Sequence, residues 1–444
     1  MSDRWREAYE SKLRSPDEAV ALIQDGAHIV QPIIAGEPPA ILASIAQAAR
    51  KGQFTRLTMR ALLPFTATKA TVLQPDLKEV IRWESLFVGA ADRDAIKEGR
   101  AGFTPNFFHQ VPRLLSEFIP VDVCIATVSP MDRHGYMSLG VSVDYTSVAA
   151  RVAKVLLLEV NEHMPRVHGR SFIHISEATA VVENNSPLPE LAAPPVRPED
   201  EAIGRSIAEM VPDGATVQLG IGGIPNAVAQ YLRGHKDLGI HSEMFTDSMV
   251  DLIEDDVANG VRKTLHPRKA VFTFAGGSER MYRFLDDNPY CEAHPVSYTN
   301  NPDVIARNNE LMSVNAAIEV DLTGQCCSES IGPVQFSGTG GQADFARGAF
   351  NSPGGKSFIA FYSTARSGEV SRIVPMLTQG AVVTTPRQDV HYLVSEHGVA
   401  LLKGKSVPER AKAIIALAHP KFRDWLTEEA RKLGYLEGVP GSRD

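Results

Sequence analysis

Apolar and polar residues follow two rhythms along this chain: short apolar runs of strand length, and stretches with apolar residues every three or four positions. The pattern is clearest over residues 217–257. Val217-Gln218-Leu219 is a strand-like run that breaks into Gly220-Ile221-Gly222-Gly223-Ile224-Pro225, and a helix is predicted over 226–232. Seventeen residues after Ile224 comes His241-Ser242-Glu243-Met244-Phe245, a short apolar-flanked segment with one carboxylate. A second helix is predicted next, because Ser248-x-x-Asp251 reads as a capping pair, Met249, Ile253 and Val257 share a face, and Gly260 can end it. Glu243 is thereby expected at a strand's carboxyl end, where open α/β sheets gather their ligands.

The same order occurs earlier. Asp25-Gly26-Ala27-His28-Ile29-Val30 opens a strand that leads into Ala35-Gly36-Glu37-Pro38-Pro39 and an alanine-rich helix over 40–50. Asp213-Gly214-Ala215-Thr216-Val217 leads likewise into the glycine turn and its helix, one residue shorter, which predicts a duplicated α/β unit. Further strands are expected at 121–128, 155–160, 270–274, 358–362 and 391–394, with helices at 146–152 and 408–419. Such alternation implies mostly parallel sheets covered by helices. Between residues 183 and 200 stand Pro187, Pro189, Pro194, Pro195 and Pro198, too dense for a helix or a central strand, so this stretch is expected to be a linker. The expected fold class is α/β: two open, mostly parallel α/β domains of similar size, at 1–190 and 191–444, the second carrying Glu243. A chain of 444 residues exceeds what one core usually supports.

Composition narrows the function. A net charge of −8 leaves no excess of Lys and Arg to neutralise phosphates over a broad face, which argues against a nucleic-acid partner. No apolar run reaches membrane-spanning length and the charged start lacks a signal-like core, so a cytoplasmic protein without a membrane partner is expected. The four cysteines, Cys124, Cys291, Cys326 and Cys327, show no CxxC spacing, in keeping with a reducing compartment.

Several standard machines fail on spacing. Pro225 stands where a dinucleotide fingerprint needs its third glycine, and residues 398–406 have five residues between glycines where a P-loop has four. There is no nucleophile elbow and no HExxH, and the thirteen histidines lack metal-ligand spacing, so no metal is expected. Two glycine clusters remain, 220–224 and Ser337-Gly338-Thr339-Gly340-Gly341. Either can be a plain surface turn, but two in one half, each after an apolar run, suit backbone N–H donors aimed at one anionic ligand. Spacing alone does not choose among the carboxylates Glu37, Glu159, Glu243, Glu329 and Asp344. Cys326 and Cys327 read as small hydrophobes.

At the level of whole segments the chain resembles a known family. SPMDRHGYMSLGVSVDYT (129–146), EVNEHMPRVHG (159–169), GIGGIPNAV (220–228), GIHSEMFTD (239–247), VNAAIEVDLTGQ (314–325) and ESIGPVQFSGTGGQADFARGA (329–349) are similar to the acetyl-CoA hydrolase/transferase group of class I CoA-transferases, in the branch typified by 4-hydroxybutyrate CoA-transferase. The resemblance implies that Glu243 is the nucleophile of a glutamyl-CoA thioester mechanism, ionised near its ordinary pKa. It also implies that Gly220, Ile221, Gly222, Gly223 and Ile224 hold CoA, and that Gly340 and Gly341 contact it and supply oxyanion donors. Ile318, Gly404 and Lys405 would line its path. It implies no permanently bound cofactor, acyl-CoA (acetyl-CoA foremost) and a short-chain carboxylate such as 4-hydroxybutyrate or butyrate as substrates, and a homodimer. Acyl-CoA hydrolysis, itaconate or succinate as the acid, and a catalytically silent CoA binder are the alternatives. Two stretches depart from the family pattern: Ser248 replaces an expected glycine, and Val399-Ala400-Leu401-Leu402-Lys403 replaces a segment written with Asp and Arg.

Overall fold

The computed structural model describes residues 3–436. In the first half, strands β1 (His28–Val30), β2 (Leu57–Leu62), β3 (Ile81–Phe87), β4 (Ala101–Phe103), β5 (Val123–Val128), β6 (Val155–Val160) and β7 (Ala180–Glu183) form one sheet in the order β7-β6-β5-β1-β2-β3-β4. Every pairing in it is parallel. The sequences of β5 and β6, VCIATV and VLLLEV, are buried almost throughout, as expected of central parallel strands covered on both faces. In the second half, β8 (Thr216–Gln218), β9 (Gly239–Ile240), β10 (Leu311–Ala316), β11 (Lys356–Ala360), β12 (Tyr392–Ser395) and β13 (Gly398–Leu401) pair in the order β9-β8-β10-β11-β12-β13. Only β13 runs antiparallel.

The duplicated unit is visible in backbone detail. Gly26 and Gly214 share a left-handed φ of 84°, a region open to glycine at no steric cost. Gly26 donates its N–H to the Arg56 carbonyl just before β2, and Gly214 donates to the Lys236 carbonyl just before β9. The preceding aspartates follow suit: Asp25 accepts the Arg56 N–H and Asp213 accepts the Lys236 N–H.

Several boundaries differ from the sequence pattern. The irregular linker is 184–197, because Pro198 does not break structure here but occupies the first turn of the helix Pro198–Ala208, where its missing N–H costs nothing. The glycine-turn helix starts at Gly223, three residues before the predicted position. The helix after Glu243 spans Asp247–Glu254 with Thr246 at its N-cap, so Ser248 lies inside the first turn and no capping pair with Asp251 forms. It also stops before Gly260, turning at Asp256, whose φ is 56°. The predicted strand 270–274 is two pieces, Ala270–Phe272 and Phe274–Ala275, which pair with different neighbours.

The halves are not separately packed. The strand His168–Gly169 of the first half pairs in parallel with Cys291–Ala293 of the second. One apolar cluster runs through Val30, Leu158, Val217, Phe272 and Val394, spanning both sheets.

Candidate active site

The carboxyl edge of the second sheet carries the reactive groups. Glu243 is the third residue after β9 and is fixed through its backbone: the Thr273 N–H donates to its carbonyl at 3.0 Å, and the preceding Ser242 hydroxyl donates to the carbonyl of Leu219, just past β8. Its side chain reaches the loop ahead of the helix Gln342–Asn351. There Asn300 Nδ2 donates to Oε2 at 2.5 Å, and the Gly341 N–H donates to the same carboxylate. A Cβ at Gly341 would lie 2.0 Å from Glu243 Oε2 and 2.3 Å from Asn300 Nδ2, so only glycine lets the backbone come this close. Gly340, at φ 55°, turns the loop and faces Oε1.

The first half closes the other side. Phe87, at the carboxyl end of β3, packs so tightly on the loop that a Cβ at Gly338 would stand 2.7 Å from its ring. Phe108 donates its N–H to the Gly340 carbonyl, and His109 Nδ1 meets Asp344 Oδ1 at 2.7 Å. The site therefore lies between the halves.

Glu243 keeps partial exposure to the cleft, but protein surrounds it elsewhere, and this burial pushes its carboxyl up to about 8. Asn300 and Gly341 oppose the rise by donating to the ionised form, while the Asp344 and Asp144 carboxylates add to it. The expectation of an ordinary pKa is thus corrected: the free site favours a protonated Glu243 at neutral pH. A nucleophile must be ionised, so kcat/KM for acyl-CoA is expected to rise with pH through the region near 8. Asn300→Ala removes a donor worth about 1.5–3 kcal/mol to a charged acceptor, and should lower kcat about tenfold or more while moving this limb to higher pH. A pH–rate profile of the variant with an unmoved limb would exclude this role for Asn300.

Models of the acetyl-CoA hydrolase/transferase N-terminal domain and C-terminal domain match residues 1–191 and 277–430 respectively. This chain belongs to the acetyl-CoA hydrolase/transferase family. It is 46% identical to the succinyl-CoA:cyclohexane-1-carboxylate CoA transferase of Geobacter metallireducens, over 97% of this chain and 98% of that protein. It is also 46% identical to the 4-hydroxybutyrate coenzyme A transferase of Clostridium kluyveri, over 96% and 99%. Among solved structures, RipA from Yersinia pestis superposes with a TM-score of 0.94 at 45% identity, covering 97% of this chain and all of that one. The protein is a CoA-transferase, acting on CoA thioesters and carboxylates.

The other residues singled out by resemblance to the acetyl-CoA hydrolase/transferase family divide into two groups. Residues 220–224 leave the carboxyl end of β8 and start the helix Gly223–Tyr231, with Gly222 at φ 134°. Gly223 is packed against Asp200, which the Tyr362 hydroxyl holds at 2.6 Å. Ile221 is exposed and lines an open cavity of about 310 Å³ between the linker and the start of the helix Asp247–Glu254. Ile318 follows β10 on the same edge and is half-buried. Gly404 and Lys405 lie elsewhere. Because β13 runs antiparallel, its end returns to the amino edge of the sheet. The neighbouring Lys403 ammonium stands 3.8 Å over the Phe350 ring, at the far end of the helix whose N-cap is Gly341, roughly 15 Å away by helix rise. Gly404 and Lys405 thus stand on the opposite edge of the sheet from Glu243.

The rival carboxylates have other partners. Glu329 is buried, accepting the Thr339 hydroxyl on one oxygen and the Thr384 hydroxyl on the other, which braces the glycine loop. Glu37 accepts N–H groups of Phe65, Ala67 and Thr68, and Glu159 accepts those of Ala40 and Ile41, so both cap helix starts. All four cysteines are buried and unpaired, and burial raises the Cys326 thiol well above its usual range, away from thiolate chemistry. Sequence reasoning missed Asn300, Phe87 and His109, which come from segments distant along the chain and carry no motif. It also missed that His266, Glu292 and His294 assemble in space, although the histidines lack metal-ligand spacing.

Proposed function

We propose that this CoA-transferase works through a glutamyl-CoA thioester on Glu243, moving CoA from a short-chain acyl-CoA, acetyl-CoA foremost, to 4-hydroxybutyrate or butyrate. The observation that carries the reading is the clamp on Glu243: one carboxylate between two halves, held by Asn300 Nδ2 and the Gly341 N–H with a glycine at the point of closest approach. The ionised carboxylate attacks the thioester carbonyl, forming an acyl-glutamyl anhydride and expelling CoA thiolate. The thiolate then attacks the glutamyl carbonyl, giving enzyme-bound thioester and free acid. The incoming acid reverses both steps and leaves as its CoA ester.

In the second attack the negative charge gathers on a Glu243 oxygen, where the Asn300 and Gly341 donors already point. A fixed donor at such a position is worth about 3–4 kcal/mol. The glycine turn at 220–224 and Ile318, on the same edge, suit the bound CoA. The choice of acid follows relatives named for 4-hydroxybutyrate and for butyryl-CoA with acetate. A homodimer, a cytoplasmic setting and a division into units 1–190 and 191–444 complete this reading.

Incubation with acetyl-CoA followed by borohydride tests it. The peptide containing Glu243 should lose one oxygen and gain two hydrogens as its thioester is reduced to the alcohol, and the better acid among butyrate, 4-hydroxybutyrate, itaconate and succinate should discharge the trap faster. Reduction at Glu329, or nowhere, would overturn the assignment. Free acid released with no acceptor present, at the rate of transfer, would make the protein a hydrolase.

A further inference from the structure

Parallel pairing brings together three side chains that CoA transfer does not use. His266 sits in the turn ahead of the strand Ala270–Phe272; Glu292 lies on, and His294 just past, the strand Cys291–Ala293 that pairs with it. Residues two apart on a strand face the same side, so Glu292 and His294 are aimed together. His266 Nδ1 lies 3.0 Å and His294 Nε2 3.2 Å from Glu292 Oε2, and the three donor atoms fall within 4.8 Å of one another. Ligand atoms around a tetrahedral zinc ion bonded at about 2.0–2.1 Å stand roughly 3.3 Å apart, so the cluster already has nearly the needed spacing.

The surroundings match. The other ring nitrogen of His266, Nε2, is 2.7 Å from the Tyr298 hydroxyl, the kind of outer partner that fixes a ligand's tautomer and ring plane. His266 itself is held at φ 50°, an uncommon conformation for a residue with a side chain. His294 is 7% exposed and its Nδ1 is buried without a partner. Lys269 lies 3.7 Å from Oε1 of Glu292, leaving Oε2 to the histidines.

We propose that His266, Glu292 and His294 form a binding site for one divalent cation of the zinc type, with solvent as the fourth ligand. Two imidazoles and a carboxylate are a known zinc donor set. Tyr298 belongs to the short helix Val296–Thr299, and the next residue, Asn300, holds Glu243. Through Tyr298 the cation therefore braces the segment that carries Asn300.

The test uses the full chain, stripped with chelator, dialysed, and titrated with Zn²⁺ alone by calorimetry and with Co²⁺ by visible absorption. One equivalent, tetrahedral cobalt bands and a Zn²⁺-dependent rise in Tm are expected. Tyr298→Phe, which keeps all three ligands and the fold, should weaken affinity about 10-fold. His266→Gln and His294→Gln should each weaken it by more than the roughly 100-fold upper range for losing an outer partner. No saturable binding in the micromolar range would leave a hydrogen-bonded His–Glu–His triad and overturn the proposal, as would affinity unchanged in both histidine variants.

Discussion

Glu243→Gln is expected to lower the rate of CoA transfer by at least about 10,000-fold, the scale on which losing a nucleophile acts. The amide keeps the shape of the carboxylate and can still accept from Asn300 and Gly341, but it cannot form the anhydride. The same substitution should also stabilise the protein in alkaline solution. The carboxyl rises from 4.5 in the unfolded chain to about 8 in the folded one, so between these values the native state binds the extra proton. Stability therefore falls as pH rises through that window, and the penalty is complete above about 8. The variant should melt higher than the wild type above that pH and equally below 4.5. Transfer assays paired with melting curves at the two pH extremes check both halves; a variant that is active, or one that melts lower at high pH, contradicts the role assigned to this residue.

Gly341→Ala is the second large effect. The new methyl would need the space now holding Glu243 Oε2 and Asn300 Nδ2, 2.0 and 2.3 Å from its carbon, so either the loop retreats or the carboxylate turns away. Displacing a reacting group by about 1 Å costs on the order of 100-fold, and the same shift carries the backbone N–H, which alanine keeps, out of line with the carboxylate. The turnover rate is therefore expected to fall by about two orders of magnitude or more. The backbone of Gly341, at φ −92°, accepts any residue, so the loss is not a folding defect. Gly404→Ala is the control: a Cβ there meets nothing within 4 Å, and kcat should stay within about twofold despite the left-handed φ of 77° and its strain of about 1 kcal/mol. Equal losses in the two variants would give the Gly404 segment a part in turnover as large as that of Gly341.

What the sequence revealed depended on distance along the chain. Strand, glycine turn and helix succeed one another within 217–231, so their pattern placed Glu243 beside a turn on a carboxyl edge without any tertiary information. Asn300 reaches Glu243 from 57 residues away, and Phe87 from the other half. Only pairing across sheets brings them in, and a lone Asn or Phe announces nothing. The distance of Gly404 and Lys405 from Glu243 has a readable cause. Glu396 and His397 are the two-residue connection of a hairpin between β12 and β13, and a tight turn reverses the chain, carrying Gly404 and Lys405 to the opposite edge. The capping pair at Ser248 failed for a different reason: the Asp247 side chain is held by the Ser278 N–H and hydroxyl, and the helix cap falls at Thr246, two residues earlier.

The strand His168–Gly169, lodged beside Cys291–Ala293, has a kinetic consequence for substrate entry. Two bodies that share a ladder and one apolar cluster cannot swing apart like the jaws of a clamp without breaking both, so admission of a molecule as long as an acyl-CoA falls to the loops at the rim. The hairpin of Ser330–Ile331 and Val334–Gln335, whose tip exposes Ile331 and Val334, adjoins Phe336, itself covered by Arg93 from the opposite half. With the two sheets joined in this way, the distance between them is expected to stay the same as one acyl group replaces the next.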